Sequence, residues 1–128
     1  MRQALIYQPD ERIRKLAAAW MNSLGIRVRI VGESELKKPV SELLGLSGIF
    51  ASEREETDPM INPIPPVTML SGFTEEDLDS FLSAKKAAGI TGTGLLSVVT
   101  PVNIGWPIEK LARELFREHE EIRKLEKP

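Results

Sequence analysis

The sequence contains no cysteine and a single histidine, and these two shortages exclude several kinds of chemistry. Without cysteine there is no disulfide framework, no thiolate nucleophile and no zinc ribbon. One histidine leaves too few imidazole ligands for a His-rich metal site, although it does not exclude a histidine-based triad. We therefore predict no metal site and no cofactor, and the sequence identifies no catalytic residue.

The charge balance and the lack of long apolar runs restrict the partners. The 17 basic and 19 acidic residues give a net charge of -2 and a pI near 5.5, so there is no basic surface for nucleic acid or an anionic membrane. No apolar run approaches the ~18 residues of a membrane span, and residues 1–15 lack the hydrophobic stretch of a signal peptide. The length of 128 residues fits one soluble globular domain, which we expect in the cytoplasm.

The first 46 residues alternate between strand and helix signals. Strands are predicted at 4–7 and 26–30, and helices begin at Asp10 and Pro39. The second strand alternates apolar residues with arginine, which is typical of an edge strand. The apolar stripe of the first helix predicts core positions for Ile13, Leu16, Ala17, Trp20, Met21 and Leu24.

The second half shows the same order of elements. Strands are predicted at 67–70 and 95–99, and helices begin at Thr74 and Pro107. Asp77 follows Thr74 at the spacing of a capping box. The inner faces are predicted to carry Leu78, Phe81, Leu82 and Ala88 in one helix, and Ile108, Leu111, Ala112, Leu115, Phe116, His119 and Ile122 in the other.

The two halves match each other at two fixed offsets. Asp10 and Gly25 correspond to Thr74 and Gly89 at an offset of 64 residues. An offset of 68 aligns a second set, namely Val28, Ile30, Val31, Pro39, Val40, Leu43 and Leu44 with Leu96, Val98, Val99, Pro107, Ile108, Leu111 and Ala112. This pattern indicates an internal repeat, and a common βαβα order reached independently is the alternative.

These elements predict a single α/β domain over residues 1–128. Right-handed crossovers between parallel strands give a four-stranded, mostly parallel sheet in the order 2-1-3-4, with helices packed on it. Its βαβα halves, 1–46 and 67–128, are joined by a mobile loop at 47–66. The loop is rich in proline and acid, and we predict a solvated segment rather than a calcium site for Glu53, Glu55, Glu56 and Asp58.

Several short motifs occur together in the second half. They are Gly72-Phe73-Thr74-Glu75-Glu76-Asp77-Leu78-Asp79, Ala88-Gly89-Ile90, Thr100-Pro101-Val102-Asn103, Trp106 and Arg117-Glu118-His119-Glu120. With them, residues 69–120 resemble a small bacterial family classed as a domain of unknown function, number thirty-seven eighty-three. Members of that family read Thr-Pro-Thr-Asn and Asn-Trp-Thr where this chain has Val102 and Ile104-Gly105-Trp106-Pro107. The resemblance supports the boundary of the fold and implies no known activity.

Polar residues follow three strands of the predicted sheet. In a parallel sheet, ligands bind beyond the carboxyl ends of the strands, because loops and helix N-termini converge there. We predict one rim that contacts a small anion or polar ligand through Asp10, Ser71, Gly72, Thr100, Asn103 and Trp106. Ordinary turn chemistry is the alternative for this set, and an N-terminal hydrophobic staple is the alternative for Trp106.

Two further motifs have simple structural explanations. Thr91-Gly92-Thr93-Gly94 lacks the Lys and Ser or Thr that follow a phosphate loop, and it precedes a strand, so we predict a connector. His119 shares its helix face with no carboxylate, so we predict a partly buried histidine rather than a metal ligand.

Two classes of function fit these features. A non-enzymatic protein-interaction or regulatory module, with an unknown protein partner, fits the lack of a nucleophile, base and orienting group. A small polar-ligand or anion binder, or a small hydrolase with Asp10 or Glu33 as base, would use the predicted rim. The first class is favoured. A homodimer through the C-terminal helix is also predicted, because this helix outlasts the strands and repeats Ile108, Leu115 and Ile122 at intervals of seven.

Overall fold

The computed structural model describes residues 2–45 and 64–126, with side chains up to residue 122. The elements are β1 (Gln3–Tyr7), α1 (Glu11–Ser23), β2 (Arg27–Ile30), a 3-10 turn (Glu33–Glu35), α2 (Val40–Leu43), β3 (Val67–Ser71), α3 (Glu75–Ala88), β4 (Leu95–Val98) and α4 (Ile108–Glu126). The predicted loop 47–66 lies outside the described residues except for 64–66, where Ile64 is buried. The acid cluster at 53–58 also lies outside them.

The strands form one open sheet in the predicted order β2-β1-β3-β4. β1 and β2 are parallel, and so are β3 and β4. The central pair is antiparallel, with Gln3 opposite Ser71 and Leu5 opposite Met69. The sheet is therefore mixed and mostly parallel. As a result, β1 and β2 finish at one end of the sheet, and β3 and β4 finish at the opposite end.

Hydropathy explains which strands lie in the centre. Every residue from Ala4 to Tyr7 and from Val67 to Leu70 is buried, because these strands are covered on both faces. On β2, Arg27 and Arg29 are exposed. β2 accordingly lies at an edge, as its alternating pattern predicted.

Local capping signals define the starts of the long helices. Asp10 Oδ1 accepts a hydrogen bond of 3.0 Å from the N–H of Ile13 at the start of α1. At the start of α3, Thr74 and Asp77 form the predicted capping box, with bonds of 3.0 and 3.1 Å. The N–H of Thr74 stabilises the Asp77 carboxylate and thereby lowers its pKa. Gly89 ends α3 in the left-handed conformation, with φ of 67°.

Helices cover both faces of the sheet and form two apolar cores. α1 and α3 cover one face, where the buried residues are Ala4, Ile6, Ala17, Met21, Ile26, Leu70 and Phe81. α2 and α4 cover the other face, where the buried residues are Leu5, Tyr7, Val31, Leu36, Val40, Leu43, Ile64, Val67, Met69, Ile108, Leu111 and Ala112.

The positions of Ile13, which is 40% exposed, and of Leu16 contradict the prediction for the first helix. The Leu16 side chain is 63% exposed, whereas Ala17 and Met21 are fully buried. Successive helix positions are about 100° apart, so a helix that faces the sheet with Ala17 turns Leu16 towards solvent. The apolar stripe is wider than the contact it makes, and its flank stays outside the core. The inner faces predicted for α3 and α4 are too wide in the same way, because Leu82, Ala88 and Ile122 are exposed.

The glycines of the segment 91–94 permit close packing, in agreement with the predicted connector. A Cβ atom at Gly92 would overlap the side chain of Ile13. Gly94 has a φ of 66°, and a Cβ atom there would overlap the backbone of Pro66. The buried side chain of Gln8 fixes the segment by donating a 3.1 Å hydrogen bond to the carbonyl of Gly92.

The N-termini of α2 and α4 meet and cap each other. Pro39 and Pro107, which precede these helices, form an isolated antiparallel bridge. Backbone N–H groups of each helix donate to carbonyls that precede the other helix, at 2.9 to 3.3 Å: Val40 to Trp106, Ser41 to Ile104, Ile108 to Lys38 and Glu109 to Leu36. The first N–H groups of a helix have no partner within it, so this exchange satisfies both helix starts.

Candidate functional site

The six candidate residues do not lie on one rim. Because β1 and β3 are antiparallel, Asp10 lies at one end of the sheet and the other five residues lie at the opposite end. The prediction of a single rim is therefore wrong. A right-handed crossover fixes strand direction inside each βαβ unit, but the segment between the two units is long enough to return the chain in either direction.

Asp10 serves as a helix cap at its end of the sheet. Besides capping α1, it donates its N–H to Gln8 Oε1 at 3.2 Å. Glu33, the other carboxylate considered as a base, follows β2 at the same end and is exposed. Both carboxylates are separated from Ser71 and Thr100 by the length of a strand, roughly 17 Å for five residues. A hydrolase that joins these acids to those hydroxyls is not supported by this geometry.

Ser71 and Gly72 form the turn that leads from β3 into α3. Ser71 pairs with Gln3 at the end of the strand, and Gly72 adopts a φ of 78°. This bend places the Phe73 ring edge-on to Phe81, with centroids 5.8 Å apart. The glycine conformation therefore has a packing role.

Thr100 and Asn103 close the turn after β4 through reciprocal hydrogen bonds. Asn103 Oδ1 accepts from the N–H of Thr100 at 2.8 Å, and Thr100 Oγ1 accepts from the N–H of Asn103 at 3.1 Å. Asn103 Nδ2 donates to the carbonyl of Val98 at 3.1 Å. Asn103 is only 8% exposed, and both polar atoms of its side chain bind the backbone. These contacts match the turn chemistry that was the alternative to ligand binding.

A recess does bring three of the six candidates together. Thr100, Asn103 and Trp106 line a cavity of about 190 Å³ between the end of β4 and α4, together with Glu114 and Glu118. This volume is below the ~300 Å³ at which ordinary ligand pockets begin. The two carboxylates favour a neutral or cationic group over an anion.

The ring of Trp106 lies beneath the charged end of a lysine side chain. The ammonium of Lys110, one helical turn further along, lies 4.2 Å from the ring centroid, within range of a cation–π interaction. Trp106 also packs on the core that contains Leu111. Trp106 lies two residues before Ile108, the first residue of α4, so this packing is compatible with the predicted N-terminal staple.

A larger cavity lies beside β2, and the sequence did not predict it. This cavity, which we call the β2 groove, has a volume of about 470 Å³ and is lined by Gln3, Ala4, Leu5, Arg27, Val28, Arg29, Ile30, Leu43, Leu44 and Gly45. It forms where α2 ends after four residues, at the side of an edge strand. The sequence signal that could have indicated this groove was Gly45, which ends a helix of only four residues.

Hydrogen bonds fix one charged side chain of this groove. Arg29 donates to Glu35 Oε2 at 2.7 Å, and Glu35 Oε1 accepts from the N–H of Gly32 at 3.2 Å. The Gly32 N–H and the Arg29 guanidinium stabilise the Glu35 carboxylate and lower its pKa. At the same end of the sheet, burial and then the negative charge of Glu33 raise the pKa of Tyr7.

The second half of α4 extends beyond the core. Arg117, Glu118, His119, Glu121 and Ile122 are exposed. The prediction of a partly buried His119 is therefore wrong, because no element within residues 2–45 and 64–126 covers the helix at this point. Among the residues that the structure describes, no three His, Cys, Asp or Glu side chains are grouped so that they could hold a metal ion.

Comparison with known families adds one assignment. The capping box at Thr74, the turn at Thr100–Asn103 and the helix from Ile108 are all part of one matched stretch. Residues 66–122 match the family model described as Domain of unknown function (DUF3783). The match confirms the resemblance predicted for 69–120, and it covers less than half of the chain. No curated protein and no solved structure matches the chain.

The DUF3783 segment contains β3, α3, β4 and most of α4. It includes the recess and the exposed turns of α4, while β2 and α2, which form most of the β2 groove, precede it. The family description names no activity. None of the helices in the described ranges combines the length and hydropathy that a bilayer crossing requires.

Proposed function

We propose that this protein is a protein-interaction module that associates through the projecting end of α4. The observation that carries this proposal is the exposure of Ile122, which is 55% accessible on a helix that continues to Glu126. Ile108 and Leu111, at the start of the same helix, are fully buried in the domain. The helix thus anchors one part of its apolar stripe in the core and presents the rest to a partner.

The partner proposed here is a second copy of the chain. A twofold pair is the commonest closed assembly of identical chains, and it would bury both copies of Ile122. Helices that project from a domain bind other proteins through residues spaced three, four or seven apart, and Leu115 and Ile122 have this spacing.

Light scattering tests the homodimer. The intact chain should show twice the 14.3 kDa of one copy, while a chain that ends at Glu118 and an Ile122→Glu variant should both be monomers. Val102→Glu is the matched control, because Val102 is 72% exposed but lies in the turn before α4. A monomer in every case would refute the homodimer, and a dimer that survives the truncation would place the interface elsewhere.

The recess supports a second candidate function, the binding of a small polar ligand. It unites Thr100, Asn103 and Trp106 with Glu114 and Glu118, a set suited to an ammonium group. Titration with ethylammonium should shift the NMR signal of the Trp106 indole N–H and leave that of Trp20 unchanged, and acetate should shift neither. Equal shifts of both tryptophans would contradict a site at the recess.

We propose further that the halves are two equivalent βαβα units docked as an internal pair. Support comes from strand register: Gln3 opposite Arg27 corresponds to Val67 opposite Leu95 at the offsets of 64 and 68. The reciprocal caps of α2 and α4 follow the offset of 68. A protease site inserted within 46–63 tests the pair, since the cleaved halves should elute together from a sizing column. Separation of the halves would contradict the internal pair.

The proposal also includes a cytoplasmic location in a bacterium. The absence of cysteine fits a reducing compartment, where disulfides do not stabilise proteins. The bacterial source follows the family resemblance of the second half. Fractionation of cells that express the full chain tests the location, and recovery of the protein with membranes or in a secreted fraction would contradict it.

A further inference from the structure

The β2 groove occupies the place that α4 fills in the other half. At the offset of 68, Leu43 corresponds to Leu111 and Leu44 to Ala112. α4 continues for several turns beyond these positions and packs on β4, whereas α2 ends at Leu43, and Gly45, the last described residue of this segment, has a φ of 72°. The groove is therefore the site where further helical turns would lie.

The groove has an apolar floor and a basic rim. Leu5 and Leu43 form part of the floor and belong to the buried core, and Leu44 is half-buried beside them. Arg27 and Arg29 line the same cavity and are exposed. Arg29 is paired with Glu35, and Arg27 has no ion pair within the described part of the chain. An occupant with an apolar face and acidic neighbours complements this surface.

The projecting end of α4 has that chemistry. Ile122 and Glu118 are four residues apart, so they share one face of the helix, and both are exposed. Glu121 is also exposed, but it directly precedes Ile122 and so points to a different side of the helix. An apolar side chain with a carboxylate one helical turn before it thus matches a groove of leucines beside Arg27.

We propose that the β2 groove binds the projecting end of α4 from a second copy of this chain. This inference rests on the proposed homodimer and specifies which surface of the partner the helix contacts. Ile122 would enter the floor near Leu43 and Leu44, with Glu118 beside Arg27. The contact is made twice in a twofold dimer, because each copy supplies one helix and one groove.

The helix of the same chain cannot reach its own groove. α4 runs without a break from Ile108, which places Ile122 about 21 Å along the helix from its start. That start adjoins the Pro39–Pro107 bridge, and α2, whose end borders the groove, also starts there. The four residues of α2 extend only about 6 Å from the bridge. The end of α4 is therefore available to another copy and not to its own groove.

Charge reversal across the contact tests this inference with the full chain. Sedimentation equilibrium should show that Arg27→Glu and Glu118→Arg each raise the dimer Kd by about tenfold or more, because each creates a like-charge contact. The double variant should return the Kd to within about threefold of the original value, because the charge pair is restored in reverse. Arg12→Glu, on the exposed side of α1, is the matched control and should leave the Kd unchanged. Unchanged far-ultraviolet circular dichroism spectra would show that all variants fold.

Each outcome separates this inference from the proposed homodimer. If the chain stays monomeric at all concentrations, both are refuted. If Ile122→Glu breaks the dimer while Arg27→Glu has no effect, the helix forms the interface but the groove does not, and the inference is overturned.

Cross-linking of mixed isotope-labelled and unlabelled chains gives a second measurement. With a photo-reactive leucine analogue in place of leucine, the inference requires links between position 44 and α4 of the other copy, and links from position 44 only to its own copy would refute it.

Discussion

Truncation of Phe81 is the most direct test of the core beneath α1 and α3. Its side chain is 3% exposed, and its ring lies 5.3 Å from Trp20 and 5.8 Å from Phe73, measured between centroids. Phe81→Ala removes a fully buried ring and leaves a cavity, which typically costs about 3 to 5 kcal/mol. This cost includes the loss of the ring contacts with Trp20 and Phe73.

Leu82→Ala is the matched control because it changes the next residue of the same helix. Leu82 is 43% exposed, so a little over half of it contributes to packing. The expected loss is about 1 kcal/mol, since alanine also has the higher helix propensity. The exposed Leu16 on α1 should likewise lose about 1 kcal/mol or less on truncation.

Urea denaturation followed by tryptophan fluorescence and by circular dichroism measures these losses. With a slope of about 1 to 2 kcal/mol per molar urea, a loss of about 3 to 5 kcal/mol in Phe81→Ala should lower the midpoint by about 1.5 to 5 M. The slope itself should not change. Equal losses for Phe81→Ala and Leu82→Ala would refute the assigned inner face of α3. An altered slope would refute the cavity explanation, because the substitution would then have changed the compactness of the unfolded or the folded state.

Further substitutions test other parts of the structure. Gly94→Ala should destabilise the protein by about 2 to 3 kcal/mol, because the added Cβ atom would overlap Pro66. Gly89→Ala should destabilise it by about 1 kcal/mol, because there only the positive φ is unfavourable. Equal urea midpoints for the two variants would refute the close packing at Gly94. Asn103→Ala should cost about 1 to 3 kcal/mol in the same titration, since the turn after β4 loses its side-chain hydrogen bonds, and a loss near zero would contradict their role. Glu35→Gln should reduce stability at neutral pH. The lowered pKa of Glu35 means that its contribution is present above its ordinary value of 4.5 and disappears as the pH falls through the folded value, so the two chains should converge in acid. A difference that persists at low pH would contradict the ion pair.

Local signals in the sequence predicted the elements well. Helix ends are set by side-chain caps at Asp10 and Thr74 and by Gly89 after α3. These signals act within a few residues, so they can be recognised in the sequence without knowledge of the fold. The order of the strands could also be predicted, because each βαβ unit pairs neighbouring strands and the charged β2 has to lie at an edge.

Features that depend on distant parts of the chain were not predictable. The direction of β3 relative to β1 depends on how residues 44–66 return the chain, and no local pattern encodes it. The predicted rim depended on that direction and was lost with it, while Thr100, Asn103 and Trp106 stayed together because one short turn holds them. The exposure of Leu16 and His119 depends on where a neighbouring layer ends, which a helical stripe does not reveal.

The exchange of caps between α2 and α4 makes each helix start depend on the other half of the chain. α2 has four residues, too few to persist alone in water, and its leading amides are held by carbonyls that precede α4. Opening that separates the halves would therefore free the amides of Val40, Ser41, Ile108 and Glu109 in one event. In native-state hydrogen exchange, these four amides should behave as one cooperative unit with a single opening free energy. The stretch that matches the DUF3783 family thus shares its stability with residues outside the match.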